Sequence, residues 1–166
     1  SWTNADSICA SLGGNLVTFS DIYENHYVDS MAFLYSGDAT FIYSIGLYQD
    51  TSSSFYSEPS GGWKWVTNEA LSFLNWQINE PNELTAGENF AYNSIYSSTT
   101  PGWNDGHNGD IPNIGTPWQY ILEIPSQLVN LNGCDSVAVL NLIIENCGCT
   151  DPLALNYDSL ATVDDG

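Results

Sequence analysis

The segment from residue 80 to residue 105 places the strongest constraint on the fold, because it gathers oxygen-bearing side chains in a stretch with little regular pattern. Five of its carboxylate and side-chain amide residues form the ordered series that decides the prediction: Glu80, Asn82, Glu88, Asn104 and Asp105. Such groups are hard oxygen donors, which Ca²⁺ takes in sets of about 6–8. A long irregular stretch of this kind inside a compact domain is usually functional, so it predicts a loop region that binds Ca²⁺.

The acidic balance of the chain narrows the classes of partner. Among 166 residues, 20 are Asp or Glu and one is Lys or Arg, which gives a formal net charge of −19. Such a surface repels phosphate backbones and anionic lipid headgroups, so we expect neither nucleic-acid binding nor membrane insertion. Acidic solubilisation explains the total charge equally well, but it does not explain the ordered series. With 43% apolar residues and six Trp, the chain can fill a core, which excludes a disordered acidic tail.

Two helices are predicted near the N-terminal end. The first spans residues 3–12, with Thr3 as its cap and Gly13-Gly14 after its end. The second begins after a Ser20 cap and runs to about Leu34. Its partly inward-facing residues are predicted to be Ile22, Tyr23, His26, Tyr27 and Met31. His26 is interpreted as a surface or half-buried helix residue rather than a metal ligand.

From residue 40 onward the period changes to that of strands. Strands are predicted at 16–19, 41–47, 62–66 and 118–124. In the third of these, Trp63 and Trp65 alternate with polar positions and share one face. Residues 75–118 carry very little regular pattern, so we predict loops there.

The succession of markers resembles the C-type lectin-like fold across residues 1–125. The matching residues are Cys9, Gly13-Gly14, Leu16, Ile45-Gly46-Leu47, Trp63-Lys64-Trp65, Asn75-Trp76, Glu80-Pro81-Asn82, Glu88, Trp103-Asn104-Asp105 and Tyr120-Ile121-Leu122-Glu123. The resemblance implies an α+β fold in which two helices flank antiparallel sheets with a long calcium-binding loop region.

The resemblance also implies one Ca²⁺ site that binds sugar. Its ligands to both the ion and the carbohydrate would be Glu80, Asn82, Glu88, Asn104 and Asp105. It implies a cis peptide before Pro81, and the order Glu-Pro-Asn implies a preference for equatorial 3- and 4-hydroxyls. Mannose, glucose, N-acetylglucosamine and fucose offer that arrangement, and galactose does not.

Further site residues follow from the same resemblance. A second Ca²⁺ site would draw on Asp50, Glu83, Glu88 and Asn89. His107 and Asp110 lie just beyond the primary series, where each is either a sugar contact or an ordinary surface-loop residue.

The cysteines depart from the family pattern of two disulfides. Phe90 and Leu122 occupy positions where a Cys is usual. Cys9 therefore lacks its expected partner, and two alternatives stay open: a buried thiol, which we favour, or a disulfide with Cys134. The pairing of Cys147 and Cys149 is not set by the sequence.

The C-terminal part is predicted to contain two further pieces. Residues 126–147 are interpreted as a β-strand linker or repeat fragment, and residues 148–166 as a truncated, Asp-rich acidic repeat. Both resemble repeats of large secreted bacterial surface proteins. We expect both ends of the chain to be cut from a longer protein.

Together these features predict Ca²⁺-dependent binding of mannose-type glycans by a module of a secreted or cell-surface adhesion protein, not an enzyme. One rival is a calcium-stabilised domain that binds a protein partner without sugar. A second rival, a glycoside hydrolase using two of the carboxylates, is disfavoured by the Asn residues beside each acid.

Overall fold

The computed structural model of the protein describes residues 1–38, 41–95, 101–109, 119–124, 141–154, 157, 161 and 163–164, with the backbone alone for 141–148 and 163–164. The helices are α1 (Trp2–Ser11) and α2 (Ile22–Ser36). The strands are β1 (Asn15–Leu16), β2 (Ile42–Gln49), β3 (Trp63–Trp65), β4 (Phe90–Ser94), β5 (Gly102–Gly106), β6 (Gln119–Ile124), β7 (Asn141–Gly148) and β8 (Val163–Asp164).

The strands form one sheet in the order β5-β4-β2-β6-β7-β8, with β1 paired to β6 and β3 paired to β2. The β2 strand is central: it pairs antiparallel with β3 and β4, and parallel with β6 at Ser44 and Tyr120. Two helices with a largely antiparallel sheet confirm the predicted α+β class. The arrangement places β4 and β5 at one edge of the sheet, beside the 75–89 segment.

The helix α1 begins one residue earlier than predicted. Ser1, rather than Thr3, is its N-cap, and the Ser1 hydroxyl accepts from the Asn4 amide at 3.4 Å. Thr3 instead forms two hydrogen bonds with Asn108: its amide donates to Asn108 Oδ1 at 2.9 Å, and its hydroxyl accepts from Asn108 Nδ2 at 3.0 Å. These bonds attach the start of α1 to the chain just after β5.

The helix α2 is capped by Asp21, so the predicted Ser20 cap is wrong. The Asp21 carboxylate accepts from the amides of Tyr23 and Glu24 at 2.8 and 2.9 Å. Ser20 instead donates its amide and hydroxyl to the Glu24 carboxylate at 2.7 and 2.8 Å. A carboxylate accepts two backbone donors better than a hydroxyl does, and its charge favours the helix N-terminus.

The predicted inward face of α2 is also wrong, except at Ile22, which is half-buried. The residues that it buries are Asn25, Val28 and Ala32, while Tyr23 is 80% exposed and Tyr27 53% exposed. The helix is turned this way because its polar residues find buried partners. Asn25 Oδ1 accepts from the buried Trp103 Nε1 at 2.9 Å, and Asp29 Oδ1 accepts from the Tyr43 hydroxyl at 2.8 Å. His26 is exposed, which agrees with its interpretation as a surface or half-buried residue but not with its place on the predicted inward face.

Two strands lie in the stretch that was predicted as loop. β4 and β5 pair antiparallel in continuous register from Phe90 opposite Gly106 to Ser94 opposite Gly102. Their Asn, Ser and Gly residues have low strand propensity, so sequence pattern alone does not reveal them. In contrast, β3 buries both Trp63 and Trp65, as their alternation predicted.

Aromatic packing fills the main core. Trp103 is fully buried on β5 and contacts four rings, those of Phe19, Trp65, Phe73 and Trp76, at centroid distances of 5.4 to 5.9 Å. Such pairs are favourable beyond the area that they bury. They fix the strand from which two candidate ligands project.

The positions of the expected cysteines are filled by packing residues. Phe90 lies on Trp2 with ring centroids 4.8 Å apart. Cys9 is fully buried in one apolar cluster with Leu16 and Leu122. The alternative Cys9–Cys134 disulfide lies outside the described residues.

The first C-terminal strand continues the same sheet. β7 pairs antiparallel with β6 from Gln119 opposite Asn146 to Ile124 opposite Asn141, and β8 pairs parallel with β7. Residues 126–140 of the predicted linker lie outside the described part, and the domain boundaries at 125 and 147 stay predictions. Within the described ranges, neither helix combines the length and apolarity that crossing a bilayer requires.

Candidate functional site

The candidate site lies where β5 meets the 77–88 segment. The incoming chain is fixed to β5 by backbone bonds: the Trp103 amide donates to the Asn75 carbonyl, and the Gln77 amide donates to the Trp103 carbonyl, both at 2.8 Å. Asn104 and Asp105 follow on the same strand. Glu88 comes two residues before β4, the neighbour of β5. The sheet edge therefore brings together residues that are far apart in sequence.

Asp105 anchors the loop. The residue is 3% exposed, and its carboxylate accepts the Asn82 amide at 3.2 Å and the Glu83 amide at 3.0 Å. Glu83 adopts a left-handed conformation with φ of 48°. The peptide between Glu80 and Pro81 is cis, as the resemblance implied.

Glu80 is held by Asn104 from across the loop. Asn104 Nδ2 donates to Glu80 Oε1 at 2.8 Å, and Gln77 Oε1 lies 3.4 Å from the same amide nitrogen. Glu80 Oε2 is buried and accepts no hydrogen bond from the described residues. Burial, followed by the neighbouring Asp105 carboxylate, raises the pKa of Glu80 to about 7. A buried carboxylate oxygen without a donor is unfavourable, and it suits a cation.

Three further acids converge beside this pair. Carboxylate oxygens of Glu83, Glu88 and Asp105 all lie within 4.8 Å of one another, and Glu88 is 8% exposed. The Glu83 carboxylate accepts the Gly87 amide at 2.6 Å and the Glu88 amide at 3.2 Å. No Lys or Arg compensates these charges, because Lys64, the one such residue of the chain, is paired with Asp50.

The donor set fits a hard divalent cation. It contains carboxylate and amide oxygens, clustered like charges and a buried carboxylate oxygen that accepts no described hydrogen bond. Like charges at such distances raise the cost of ionisation unless a cation is bound. Oxygen donors of this kind are those that Ca²⁺ prefers.

Comparison with known families gives the same assignment. The family model of the Lectin C-type domain matches residues 1–110. The chain belongs to the C-type lectin domain family. Members of this family generally bind carbohydrate with Ca²⁺ and are generally not enzymes.

Two curated receptors are similar to this C-type lectin domain. C-type mannose receptor 2 of Homo sapiens is 29% identical over 105 residues, which cover 63% of this chain and 6% of the receptor. The Mus musculus protein of the same name is 31% identical over 81 residues, or 49% of this chain and 5% of the receptor. The chain thus corresponds to a small part of the length of these receptors.

Solved structures agree with the fold. Human lithostathine is similar with a TM-score of 0.53 and 26% identity, covering 66% of this chain and 70% of that one. The C-type lectin CEL-I from Cucumaria echinata gives a TM-score of 0.51 and 19% identity, covering 64% of this chain and 74% of that one. The predicted C-type lectin-like fold is confirmed.

The residues predicted for a second ion are not all together in this lectin domain. Glu83 and Glu88 share the acidic cluster, whereas Asp50 is not part of it. Asp50 Oδ2 binds Lys64 Nζ at 2.8 Å, and Oδ1 accepts from the Ser52 hydroxyl at 2.6 Å. These bonds, that of Lys64 first, lower the pKa of Asp50 to about 2. The Asn89 side-chain oxygen is buried and accepts no hydrogen bond from the described part of the chain.

Several residues of the site were not found from the sequence. Burial, then the charges of Glu80, Asp105 and Glu88, raise the pKa of the Tyr92 hydroxyl well above its ordinary value, so that group lies in the field of the acids. Recognising β4 as a strand would have revealed Tyr92, because it pairs with Asn104. Gln77 and Thr85 carry no sequence signal. The predicted Asp110 lies outside the described residues.

Proposed function

We propose that this C-type lectin domain binds one Ca²⁺ ion and, through it, sugars of the mannose type. The proposed ligands are Glu80, Asn82, Glu88, Asn104 and Asp105. The observation that carries the proposal is the contact of Asn104 with Glu80 at 2.8 Å, which leaves Glu80 Oε2 buried without a described donor. Glu80 and Asn104, 24 positions apart in sequence, thereby lie in contact beside the acidic cluster.

The charges of the donor set are matched to a divalent ion. Three carboxylates and two amides leave about −1 after Ca²⁺ binds, so the ion is held without large excess charge. When bound, the ion offers open coordination positions to the lone pairs of vicinal hydroxyls. The protein supplies the remaining hydrogen bonds, because carboxylates accept from a hydroxyl and Asn amides donate to one.

The order of acceptor and donor supports mannose-type selectivity. Glu80 precedes Pro81 and Asn82 follows it, so the carboxylate and the amide lie on fixed sides of the site. In the family this order favours equatorial 3- and 4-hydroxyls, which mannose, glucose, N-acetylglucosamine and fucose present. The similar receptors of human and mouse are named for mannose, which agrees with this proposal.

The same reasoning supports an extracellular setting. We infer that the domain belongs to a secreted or cell-surface protein that uses glycan binding for adhesion. The relatives are named as receptors, and the C-terminal sequence resembles repeats of secreted bacterial surface proteins. A second ion with Asp50, Glu83, Glu88 and Asn89 stays a prediction.

Chromatography on immobilised sugars tests the proposal. The protein should be retained on mannose resin in Ca²⁺, eluted by chelator, and pass through galactose resin. Asp105→Asn should lose retention, because Asp105 is both a proposed ligand and the anchor of the 82–83 amides. The exposed Glu69→Gln variant is the matched control and should be retained. Passage of the wild type through every sugar resin in saturating Ca²⁺ would favour the calcium-stabilised interaction domain.

A further inference from the structure

The segment of residues 83–88, here called the acid loop, is attached to the end of β5 by a second connection besides Asp105. His107, just after β5, reaches back to the loop with both ring nitrogens. Its Nδ1 lies 3.0 Å from the Gly87 carbonyl oxygen, and its Nε2 lies 2.8 Å from Thr85 Oγ1. The loop is therefore held at its start by Asp105 and at its far end by His107.

The chemistry of these contacts fixes the direction of two bonds. A carbonyl oxygen only accepts, so His107 Nδ1 carries a proton and donates to Gly87. A carboxylate also only accepts, so the Thr85 hydroxyl donates to Glu88 Oε1 at 3.0 Å. Thr85 thus connects the imidazole of His107 to the carboxylate of Glu88.

We propose that Thr85 and His107 are positioning residues that orient Glu88 for the cation, an inference that rests on the proposed function. Glu88 has two contacts that restrain it: Thr85 at its carboxylate, and Glu83 at its backbone amide. Glu83 fixes where the backbone of Glu88 lies. Thr85 fixes how the side chain points, because its hydroxyl donates to that carboxylate.

Neither Thr85 nor His107 is among the proposed Ca²⁺ ligands. Hydrogen-bonded partners of metal ligands fix the ligand orientation, and their loss typically costs about 10–100-fold in metal affinity. Thr85 is exposed and His107 is half-buried. Removing the Thr85 hydroxyl should therefore leave the core intact and change the site alone.

The test measures Ca²⁺ affinity by calorimetry and the melting temperature in chelator for matched variants. Thr85→Val keeps the shape and removes the hydroxyl, and should weaken Ca²⁺ roughly tenfold. Thr85→Ser restores the hydroxyl and should bind nearly as the wild type does. His107→Ala should also weaken binding, and the double variant should lose less than the sum of the single losses, because the two side chains act as one chain of contacts.

The controls separate positioning from general damage. Thr67→Val removes a hydroxyl elsewhere, and His26→Ala removes the other His of the chain, which is exposed on α2. Both should bind Ca²⁺ as the wild type does. The melting temperature in chelator should be unchanged by Thr85→Val. A readout independent of the ion is the imidazole ¹⁵N spectrum in chelator, which should show His107 Nδ1 protonated.

Each other outcome overturns the proposal. If Thr85→Val binds Ca²⁺ with the same affinity as the wild type, the Thr85 hydroxyl does not orient Glu88. If Thr85→Ser loses as much Ca²⁺ affinity as Thr85→Val, the effect belongs to packing and not to the hydroxyl. If the affinity losses of the variants correlate with their melting temperatures in chelator, the effect belongs to folding. Wild-type protein that binds no Ca²⁺ would defeat the proposed function as well, whereas normal wild-type binding with an unaffected Thr85→Val defeats only this inference.

Discussion

The Glu80 carboxyl group gives the protein a specific pH dependence of Ca²⁺ binding. Its pKa is raised to about 7, first by burial and then by the Asp105 carboxylate. An ion ligand must be ionised, so protons compete with Ca²⁺ for this group. At pH 8 roughly nine-tenths of the group is ionised, and at pH 6 roughly one-tenth, so the dissociation constant for Ca²⁺ should rise about tenfold between these values.

The metal-free protein should respond to pH with the opposite sign. The folded-state pKa of Glu80, about 7, lies above its ordinary value of 4.5, so the folded chain binds more protons than the unfolded chain between about pH 4.5 and 7. The stability that this proton contributes is complete below about pH 4.5 and is lost as the pH rises through about 7. In chelator, Glu80 therefore lowers the melting temperature as the pH increases from about 5 to 8.

Calcium should cancel this trend between pH 6 and pH 8, because the higher affinity at pH 8 offsets the stability that is lost with the Glu80 proton. At a hundredfold excess over the dissociation constant, an ion that binds the folded state alone adds roughly 2.7 kcal/mol. For a chain of this size, each kcal/mol shifts the melting temperature by about 2–4 °C, so Ca²⁺ should raise it by roughly 5–11 °C at pH 8. The increase should be smaller at pH 6, where the affinity is lower.

Melting curves in chelator and in Ca²⁺ across this pH range provide the assay. Glu80→Gln should flatten the metal-free slope through pH 7, while the exposed Glu69→Gln should keep it. A wild-type slope unchanged by Glu80→Gln would refute the assignment of the raised pKa. An equal melting temperature with and without Ca²⁺ at pH 8 would refute the ion site.

Three further predictions concern named residues. Asn25→Leu should cost about 2–4 kcal/mol in urea unfolding, because Trp103 Nε1 and Asn75 Nδ2 both lose the Asn25 oxygen; a loss below ~0.5 kcal/mol would contradict it. Glu80→Gln with Asn82→Asp should shift sugar preference toward galactose while Ca²⁺ binding survives, and resin retention checks it. Asn108→Ala should cost about 1 kcal/mol in the same unfolding assay, because α1 loses two hydrogen bonds.

The hydrophobic pattern of the sequence was sufficient to predict the elements whose buried residues are apolar. The alternation of Trp63 and Trp65 predicts β3 because both rings enter the core. The orientation of α2 could not be predicted from the sequence, because the helix buries Asn25 and partly buries Asp29. The hydrogen-bond partners of these two residues lie on distant strands. Tertiary hydrogen bonds therefore reversed what hydrophobic periodicity predicts.

The candidate site also contains some features that the sequence predicted and others that it did not. Donor chemistry identified Glu80 and Asn104 as candidates, and the structure places them in contact. Glu83 was considered only for a second ion, yet its carboxylate shares a cluster with those of Glu88 and Asp105. That placement depends on a left-handed backbone at Glu83 and on amides bound by Asp105, neither of which a residue pattern reveals.

Calorimetric titration of the metal-free protein with Ca²⁺, followed by mannose and then galactose, tests the central claim most directly. Ca²⁺ should bind at the primary site, and mannose should then bind in the millimolar range, equivalent to roughly −4 kcal/mol. Mannose should give no heat in chelator, and galactose should bind more weakly or not at all. Mannose binding that persists in chelator, or Ca²⁺-loaded protein that ignores every monosaccharide, would contradict Ca²⁺-dependent sugar binding.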